Sequence, residues 1–297
     1  MPRTAIIRVA EIEWGPMTPP IIDYHVHESH SRDAPTATVP SLVAAAQDRG
    51  VEEMALTTHL ILEGPDAPLG VQLGEMDGYL RGIEEAQGDT GVRLRAGLEV
   101  DYFPSRERQI RTIVEEHPLD FVLGSTHYIN GVDIGSRVEA AGFFGGRPLA
   151  EAADEYFTVW RRAVESGLFD VMAHPDYWRK FLHTARAEPA TWGEYGSVVT
   201  DAIRSLKVHG VGVEVNTSAT RHGLGGFYPV REFLMAARAA GVRRVTLGSD
   251  THAPELLGQL IPEAAGMLSE LGFRRVSTFK GRENSSVSLS RLIPEVC

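Results

Sequence analysis

The chain has 297 residues, 43% of them hydrophobic and 23% charged, which is typical of a folded globular protein and excludes wholesale disorder. That length suits one α/β barrel or two ordinary domains. A net charge of −11 without a basic run argues against nucleic acid as a partner. A single cysteine, Cys297, excludes a disulfide framework, and neither a signal peptide nor a membrane-spanning apolar run is recognisable. We therefore expect a cytoplasmic protein; its oligomeric state stays open.

Short aliphatic or β-branched runs alternate with longer amphipathic stretches along the chain. Strands are predicted at 21–25, 53–57, 94–100, 121–124, 169–173, 211–215 and 244–247. Helices are predicted at 41–49, 149–166 and 233–240, each closed by a glycine. Stretches 63–75 and 130–148 are predicted to be irregular loops, and 275–279 to be a last strand before a short polar segment. This alternation predicts an α/β fold with a parallel sheet, closed as a barrel or open.

Six of the eleven histidines fall at or just beyond the carboxyl end of a predicted strand. The first strand ends in Asp23-Tyr24-His25-Val26-His27, and strand alternation places His25 and His27 on one side, where both can reach one ion. The other four histidines follow four different strands: His59, His127, His174 and His252. Carboxylates also occur near the carboxyl ends of predicted strands, in Gly97-Leu98-Glu99 and in Gly248-Ser249-Asp250.

The carboxyl ends of parallel strands converge on one face of an α/β fold, so these side chains are predicted to meet there. Imidazole and carboxylate together suit zinc, manganese or iron, and they outnumber what one ion can bind. A single histidine at a strand end is more commonly a hydrogen-bonded loop residue, but repetition at five strand ends favours metal ligation. The sequence thus predicts two or three ions, able to activate water and clamp a phosphoryl oxygen.

These motifs resemble those of the polymerase and histidinol phosphatase (PHP) family, in particular its stand-alone histidinol-phosphatase branch, over roughly residues 21–255. The resemblance implies a distorted (β/α)7 barrel in a single domain and a site for three divalent ions, zinc, manganese or iron. We assign residues 1–20 to an N-terminal extension and 21–297 to the metallophosphatase domain.

The resemblance also implies the ligands, motif by motif. They are His25, His27, Asp33, His59, Glu99, His127, His174, Asp250 and His252. One ion would take His25, His27, Glu99 and Asp250. A second would take Glu99, His127 and His174, and a third Asp33, His59 and His252. His30 is the alternative to Asp33, and Asp23 is expected to orient an imidazole or contact the barrel floor.

Substrate contacts are implied by the segment Glu214-Val215-Asn216-Thr217-Ser218, which is similar to a segment of the histidinol-phosphatase branch that precedes a phosphate-binding arginine. Arg221 is the candidate for that role, because a guanidinium matches a phosphate bidentately. Arg179 and Lys180 are weaker candidates, with solvated surface charge as the alternative. Ala219 replaces the glycine common in that branch and a glycine-rich stretch follows at 223–226, so the substrate is less firmly predicted than the chemistry.

The leading hypothesis is therefore hydrolysis of L-histidinol phosphate to L-histidinol and phosphate, with catalytic roles for Glu99, Asp250 and His252. A second keeps the site but acts on another small phosphomonoester, a nucleotide or a phosphodiester. A third is a metalloenzyme of the amidohydrolase type that acts on a non-phosphate substrate, although no lysine lies at a predicted strand end. The partner expected in every case is a small molecule, with no nucleic acid and no membrane.

Overall fold

Eleven strands are present in residues 19–294, the part of the chain that the computed structural model describes. Cys297 and nearly all of the predicted N-terminal extension lie outside the described residues. The strands are β1 (Ile21–Val26), β2 (Val51–Leu60), β3 (Arg93–Asp101), β4 (Phe121–Ser125), β5 (Tyr128–Ile129), β6 (Val132–Asp133), β7 (Val171–Met172), β8 (Gly212–Asn216), β9 (Val245–Gly248), β10 (Arg275–Lys280) and β11 (Glu283–Ser288).

Seven of these strands form one parallel sheet in the order β1-β2-β3-β4-β7-β8-β9. The sheet curls so that its edges meet: Val26 bridges Thr251 in parallel register, and the His27 amide donates to the Thr251 carbonyl at 2.8 Å. All seven predicted strands exist, with ends that differ from the prediction by at most three residues. The predicted (β/α)7 barrel is confirmed.

The helices cover the outside of the barrel. They are α1 (Val39–Arg49), α2 (Met76–Gly88), α3 (Glu107–Glu116), α4 (Arg137–Phe144), α5 (Leu149–Glu165), α6 (Leu182–Ala185), α7 (Trp192–His209), α8 (Arg231–Ala239) and α9 (Ile261–Glu270). Local signals explain their ends. The Thr38 hydroxyl caps the start of α1, and Gly50, at φ 72°, ends it in the left-handed conformation that a side chain disfavours. The three predicted helices are confirmed to within two residues.

Asp23 joins the first and last strands of the barrel at the end that carries the histidines. Its buried carboxylate accepts hydrogen bonds from the amide of Ser249 at 2.9 Å and from the amide of Gly258 at 3.0 Å. The Ser249 hydroxyl donates to it as well, at 2.5 Å. These bonds hold the barrel closed. The contact of Asp23 with His25 is to the backbone amide and not to the ring, so Asp23 does not orient that imidazole.

The tail differs from the prediction, because its polar segment is a second strand. β10 and β11 pair as an antiparallel hairpin in register from Arg275–Ser288 to Lys280–Glu283. The hairpin covers the end of the barrel opposite the histidines. Phe279 packs 4.9 Å from the ring of Phe121, and its amide donates to the hydroxyl of Tyr24. β11 was missed because its exposed polar sequence gives no apolar alternation.

The stretch 130–148, predicted to be irregular, contains β6 and all of α4. The Ser136 hydroxyl caps α4 by accepting from the amide of Glu139. Stretch 63–75 holds two 3-10 helical turns, Ala67–Leu69 and Leu73–Glu75. Within the described residues, no helix combines the length and the apolar character needed to span a membrane.

Candidate metal centre

The nine predicted ligands lie together at the carboxyl end of the barrel. His25 is in β1, His59 in β2 and Glu99 in β3, while the others lie just after β1, β4, β7 and β9. The innermost five are buried: His25, His27, Glu99, His174 and Asp250. The side chains of His252 and Asp33 are 30% and 36% exposed, so the cluster runs from the barrel interior to the solvent.

The innermost group contains His25, His27, Glu99 and Asp250. The two Nε2 atoms of His25 and His27 are 3.1 Å apart. Both face Glu99 Oε2, at 3.4 and 3.5 Å, and Asp250 Oδ1, at 3.7 and 3.4 Å. Four donor atoms around one small space match the set predicted for the first ion.

Two further groups share or adjoin Glu99. Its Oε1 atom lies 3.0 Å from His174 Nε2 and 3.8 Å from His127 Nε2, which gives the second predicted set. Asp33 Oδ2 lies 3.2 Å from His252 Nε2 and 3.7 Å from His59 Nε2, which gives the third. Glu99 thus presents one oxygen to each of two sets, as a bridging carboxylate does.

His30, the alternative to Asp33, points away from this cluster. Its Nδ1 atom lies 2.9 Å from the Glu28 carboxylate, and its ring packs edge-on against Tyr79. The geometry therefore favours Asp33 for the third position.

Three side chains not assigned from the sequence hold the imidazoles in place. Glu214 Oε1 lies 2.7 Å from His25 Nδ1, Ser31 Oγ lies 3.1 Å from His27 Nδ1, and Asp101 Oδ1 lies 3.0 Å from His127 Nδ1. Each contact engages the ring nitrogen away from the cluster, which leaves Nε2 to face inward. Such contacts set the tautomer and orientation of a metal-binding histidine. The alternation of β8, which places Glu214 and Asn216 on one side, was the available signal for Glu214.

Glycine at position 248 makes the contact between Glu214 and His25 possible. A Cβ there would lie 2.1 Å from Glu214 Oε1 and 2.5 Å from His25 Cβ. Two residues later, Asp250 adopts φ 55°, an uncommon conformation for a non-glycine residue. Such strain persists where the surroundings enforce it, and here it directs Asp250 toward His25 and His27.

The electrostatics of the cluster fit a set of metal ions. Burial alone would raise the pKa of Glu99, but His25 and His59 hold that pKa well below its usual value. Burial opposes protonation of His59, yet Glu99 and Asp33 raise its pKa to about 10. The carboxylates thus draw positive charge into the site. Divalent cations supply that charge when the imidazoles are neutral.

One buried atom supports this fit directly. His59 Nδ1 is buried and has no hydrogen-bond partner, although Glu99 Oε2 is only 2.9 Å away. Burial, with His252 and His59 nearby, lowers the pKa of His27 well below its usual value, which keeps that ring in the neutral, ligating form. The donor set of imidazoles and carboxylates suits zinc, manganese or iron.

A cavity of about 380 Å³ opens onto these ligands. Arg221 lines it, with three of its donors held by the carbonyls of Ser249 and Asp250 and by Gln259 Oε1. Two of the five guanidinium N–H groups are left for an anion. Tyr177, Lys180, Ser218 and His222 share the lining.

Arg179 does not line this cavity, contrary to the prediction for the substrate phosphate. Its Nη1 atom donates to the buried carboxylate of Asp176 at 3.2 Å. Arg179 and Lys180 both lie in the 3-10 helix Tyr177–Phe181, where successive side chains point about 120° apart. Lys180 therefore faces the cavity and Arg179 does not.

Comparisons with known proteins agree with this geometry. The model of the PHP domain matches residues 23–218, which leaves Arg221, Asp250 and His252 beyond the matched segment. A probable histidinol-phosphatase of Deinococcus radiodurans is 29% identical over 268 residues, 89% of this chain and 98% of the relative. The histidinol-phosphatase of Lactococcus lactis is 25% identical, over 88% and 94% of the two chains.

Among solved structures, histidinol phosphate phosphatase of Lactococcus lactis, complexed with zinc, L-histidinol and phosphate, superposes with a TM-score of 0.76. It is 22% identical, over 89% of this chain and 98% of that one, a likeness that establishes the shared fold. The family match covers more than half of the 297 residues and includes seven of the nine predicted ligands. The chain therefore belongs to the PHP domain family.

Proposed function

We propose that this protein is a metal-dependent phosphomonoesterase that hydrolyses L-histidinol phosphate to L-histidinol and phosphate. The observation that carries the proposal is a single cavity lined by seven of the nine imidazole and carboxylate side chains and by the guanidinium of Arg221. The other two, His25 and His27, are buried against the carboxylates of Glu99 and Asp250. Two relatives named histidinol-phosphatase or probable histidinol-phosphatase match over nearly their whole length and supply the choice of substrate.

We assign the three ions to the three groups of side chains described above. His25, His27, Glu99 and Asp250 would hold the first, Glu99, His127 and His174 the second, and Asp33, His59 and His252 the third. When bound, divalent ions would lower the pKa of coordinated water and offset the negative charge of the phosphoryl oxygens.

The protein's own groups position the substrate and compensate charge. Arg221 lines the cavity, and its two free N–H groups would hold the phosphate oxygens as negative charge builds on them. Its other donors tie it to the carbonyls of Ser249 and Asp250, so the guanidinium is already placed before substrate binds. Glu99, Asp250 and His252 would hold the reacting centre in place.

A steady-state assay tests this function. The metal-loaded protein is offered L-histidinol phosphate, several other phosphomonoesters and a phosphodiester, and metal content is measured on the same sample. We expect histidinol phosphate to give the highest kcat/KM. A higher kcat/KM on another monoester would overturn the substrate and keep the reaction class, and hydrolysis of the diester alone would overturn both.

The role of Arg221 is tested by Arg221→Gln. Loss of a charge-assisted contact to phosphate should lower kcat/KM by about 10- to 100-fold. Metal content should stay at the wild-type level, because Arg221 is not among the ligands. Arg108→Gln, which removes an exposed arginine from α3, is the matched control and should change neither quantity.

A further inference from the structure

A second cavity, of about 490 Å³, lies at the end of the barrel opposite the metal ligands. It forms where the segments before β9 and β10 meet β11. The strand β9 joins the two ends, since Arg243 and Arg244 precede it and Asp250 follows it. The side chains that line this cavity include five arginines: Arg238, Arg243, Arg244, Arg274 and Arg275.

The five arginines of this arginine cavity form no ion pair within residues 19–294. None of its five guanidinium groups lies within 4.0 Å of a carboxylate of the described chain. Several arginines elsewhere on the surface do have such partners, for example Arg32 with Glu75 and Arg231 with Glu270. In a protein whose net charge is −11, five unpaired cations around one concavity create a local field that attracts anions.

Neutral oxygen atoms hold the outer arginines in position. Arg275 donates from Nε to the Ser286 hydroxyl at 2.7 Å and from Nη2 to the Ser286 carbonyl at 2.6 Å. Arg244 donates to the carbonyl of Gly210. These contacts order the side chains without cancelling their charge. An anion that binds to Arg244 and Arg275 therefore meets guanidinium groups that are already ordered by these contacts.

Arg243, in the α8–β9 connection, and Arg238, in α8, both lie against the backbone. Arg243 Nη1 donates to the Arg238 carbonyl at 2.8 Å and to the Val242 carbonyl at 2.9 Å. The guanidinium of Arg238 lies against the backbone of Gly272, where a Cβ would come within 2.8 Å of its Cζ atom. Glycine at 272, with φ 86°, therefore leaves room for that guanidinium.

We propose that this arginine cavity binds a small molecule that carries two or more phosphate groups. A phosphate group carries about −1.5 to −2 charges near neutral pH, so five guanidinium groups match two or three of them. Guanidinium forks suit phosphate oxygens, and the volume lies within the range of small-ligand pockets. Its place at the far end of β9 makes it separate from the metal centre.

Isothermal titration with α,β-methylene-ADP tests the proposal on the metal-loaded protein. This probe carries two linked phosphorus groups and has no phosphomonoester for the enzyme to cleave. We expect saturable binding to the wild type, weakened at least ~10-fold in the double variant R243Q/R275Q. The control R108Q/R137Q removes two exposed arginines that lack a carboxylate partner in the described chain and should bind like the wild type.

Three results would overturn the proposal. They are no binding to the wild type, equal binding to R243Q/R275Q, and tighter binding of a short DNA duplex than of the diphosphate. Thermal unfolding of both double variants establishes that they are folded. Turnover of histidinol phosphate by R243Q/R275Q should equal that of the wild type, because the arginine cavity lies at the other end of the barrel.

Discussion

At the scale of single residues, the metal centre depends on side chains that never face the ions. Glu214 holds His25, Ser31 holds His27, and Asp101 holds His127. The cluster of candidate ligands was predictable because imidazoles recur at strand ends. Their supports were not, since a carboxylate that orients a ring looks in sequence like any other carboxylate in a strand. The same is true of Gly248, whose importance lies in the space that Glu214 and His25 occupy beside it.

Gly248→Ala tests that close approach. The added Cβ would overlap Glu214 Oε1 and press on His25, so the ring must turn and the first ion must bind more weakly. We expect metal affinity to fall about 10- to 100-fold, with a matching loss of turnover. The loss of metal affinity is measured by metal analysis after dialysis against dilute chelator. Gly266→Ala, in α9 with open space around it, is the control, and an equal effect in that variant would contradict the account.

Glu214→Gln removes the negative charge beside His25 and keeps the size and shape of the side chain. The carboxylate accepts from the His174 amide and from Asn216 as well as contacting His25, so an amide cannot reproduce all these contacts. We expect metal affinity to fall by about 10- to 100-fold. Glu232→Gln, on the exposed side of α8, should leave metal affinity unchanged. Full metal retention in Glu214→Gln would show that His25 needs no anionic support.

At the scale of elements, the apolar patterns of the sequence predicted the strands and helices that pack in the core. Elements with polar sequences were not predicted. β1, β2 and β3 are buried runs, so their apolar sequences revealed them. β11 is paired on one side to β10 and largely exposed, so its register comes from its partner and not from its own pattern. Lys180 and Arg179 show another limit of sequence-based prediction. The sequence did not reveal which of these two neighbours in a 3-10 helix faces the cavity.

The hairpin end of the barrel contains a charged cluster whose stability should depend on pH. Glu53 is buried and accepts from Tyr24, Arg93 and Arg95. Burial alone would raise the pKa of Glu53, but these partners lower it below the ordinary value of 4.5. A carboxyl with a lowered pKa in the folded state contributes stability above its unfolded pKa and loses it as the pH falls.

Glu53→Gln should therefore lower the free energy of unfolding at neutral pH, by about 1–3 kcal/mol. The difference in free energy of unfolding between wild type and variant should narrow as the pH falls below 4.5 toward the pKa of Glu53 in the folded state. Urea unfolding of both proteins at a series of pH values measures the gap, and metal-ligand protonation cancels between them. A gap that stays constant or widens on acidification would contradict the lowered pKa.

At the scale of the whole molecule, seven parallel strands bring residues separated by more than two hundred positions to one face. Asp23 and the pairing of Val26 with Thr251 close the ring, which places Asp250 and His252 beside His25 and His27. The sequence motifs predicted this convergence because strand direction is shared in a parallel sheet. They did not reveal the arginine cavity, whose five arginines come from two segments, 238–244 and 274–275, that only the folded chain brings together.

Metal removal and return is the most direct test of the central claim, that three ions in this cluster drive phosphate release. The protein is stripped with a chelator and titrated with zinc or manganese while turnover of L-histidinol phosphate is followed. We predict no turnover in the stripped protein and recovery that is complete only near three equivalents. Full activity in the stripped protein, or a plateau at one equivalent, would contradict the account.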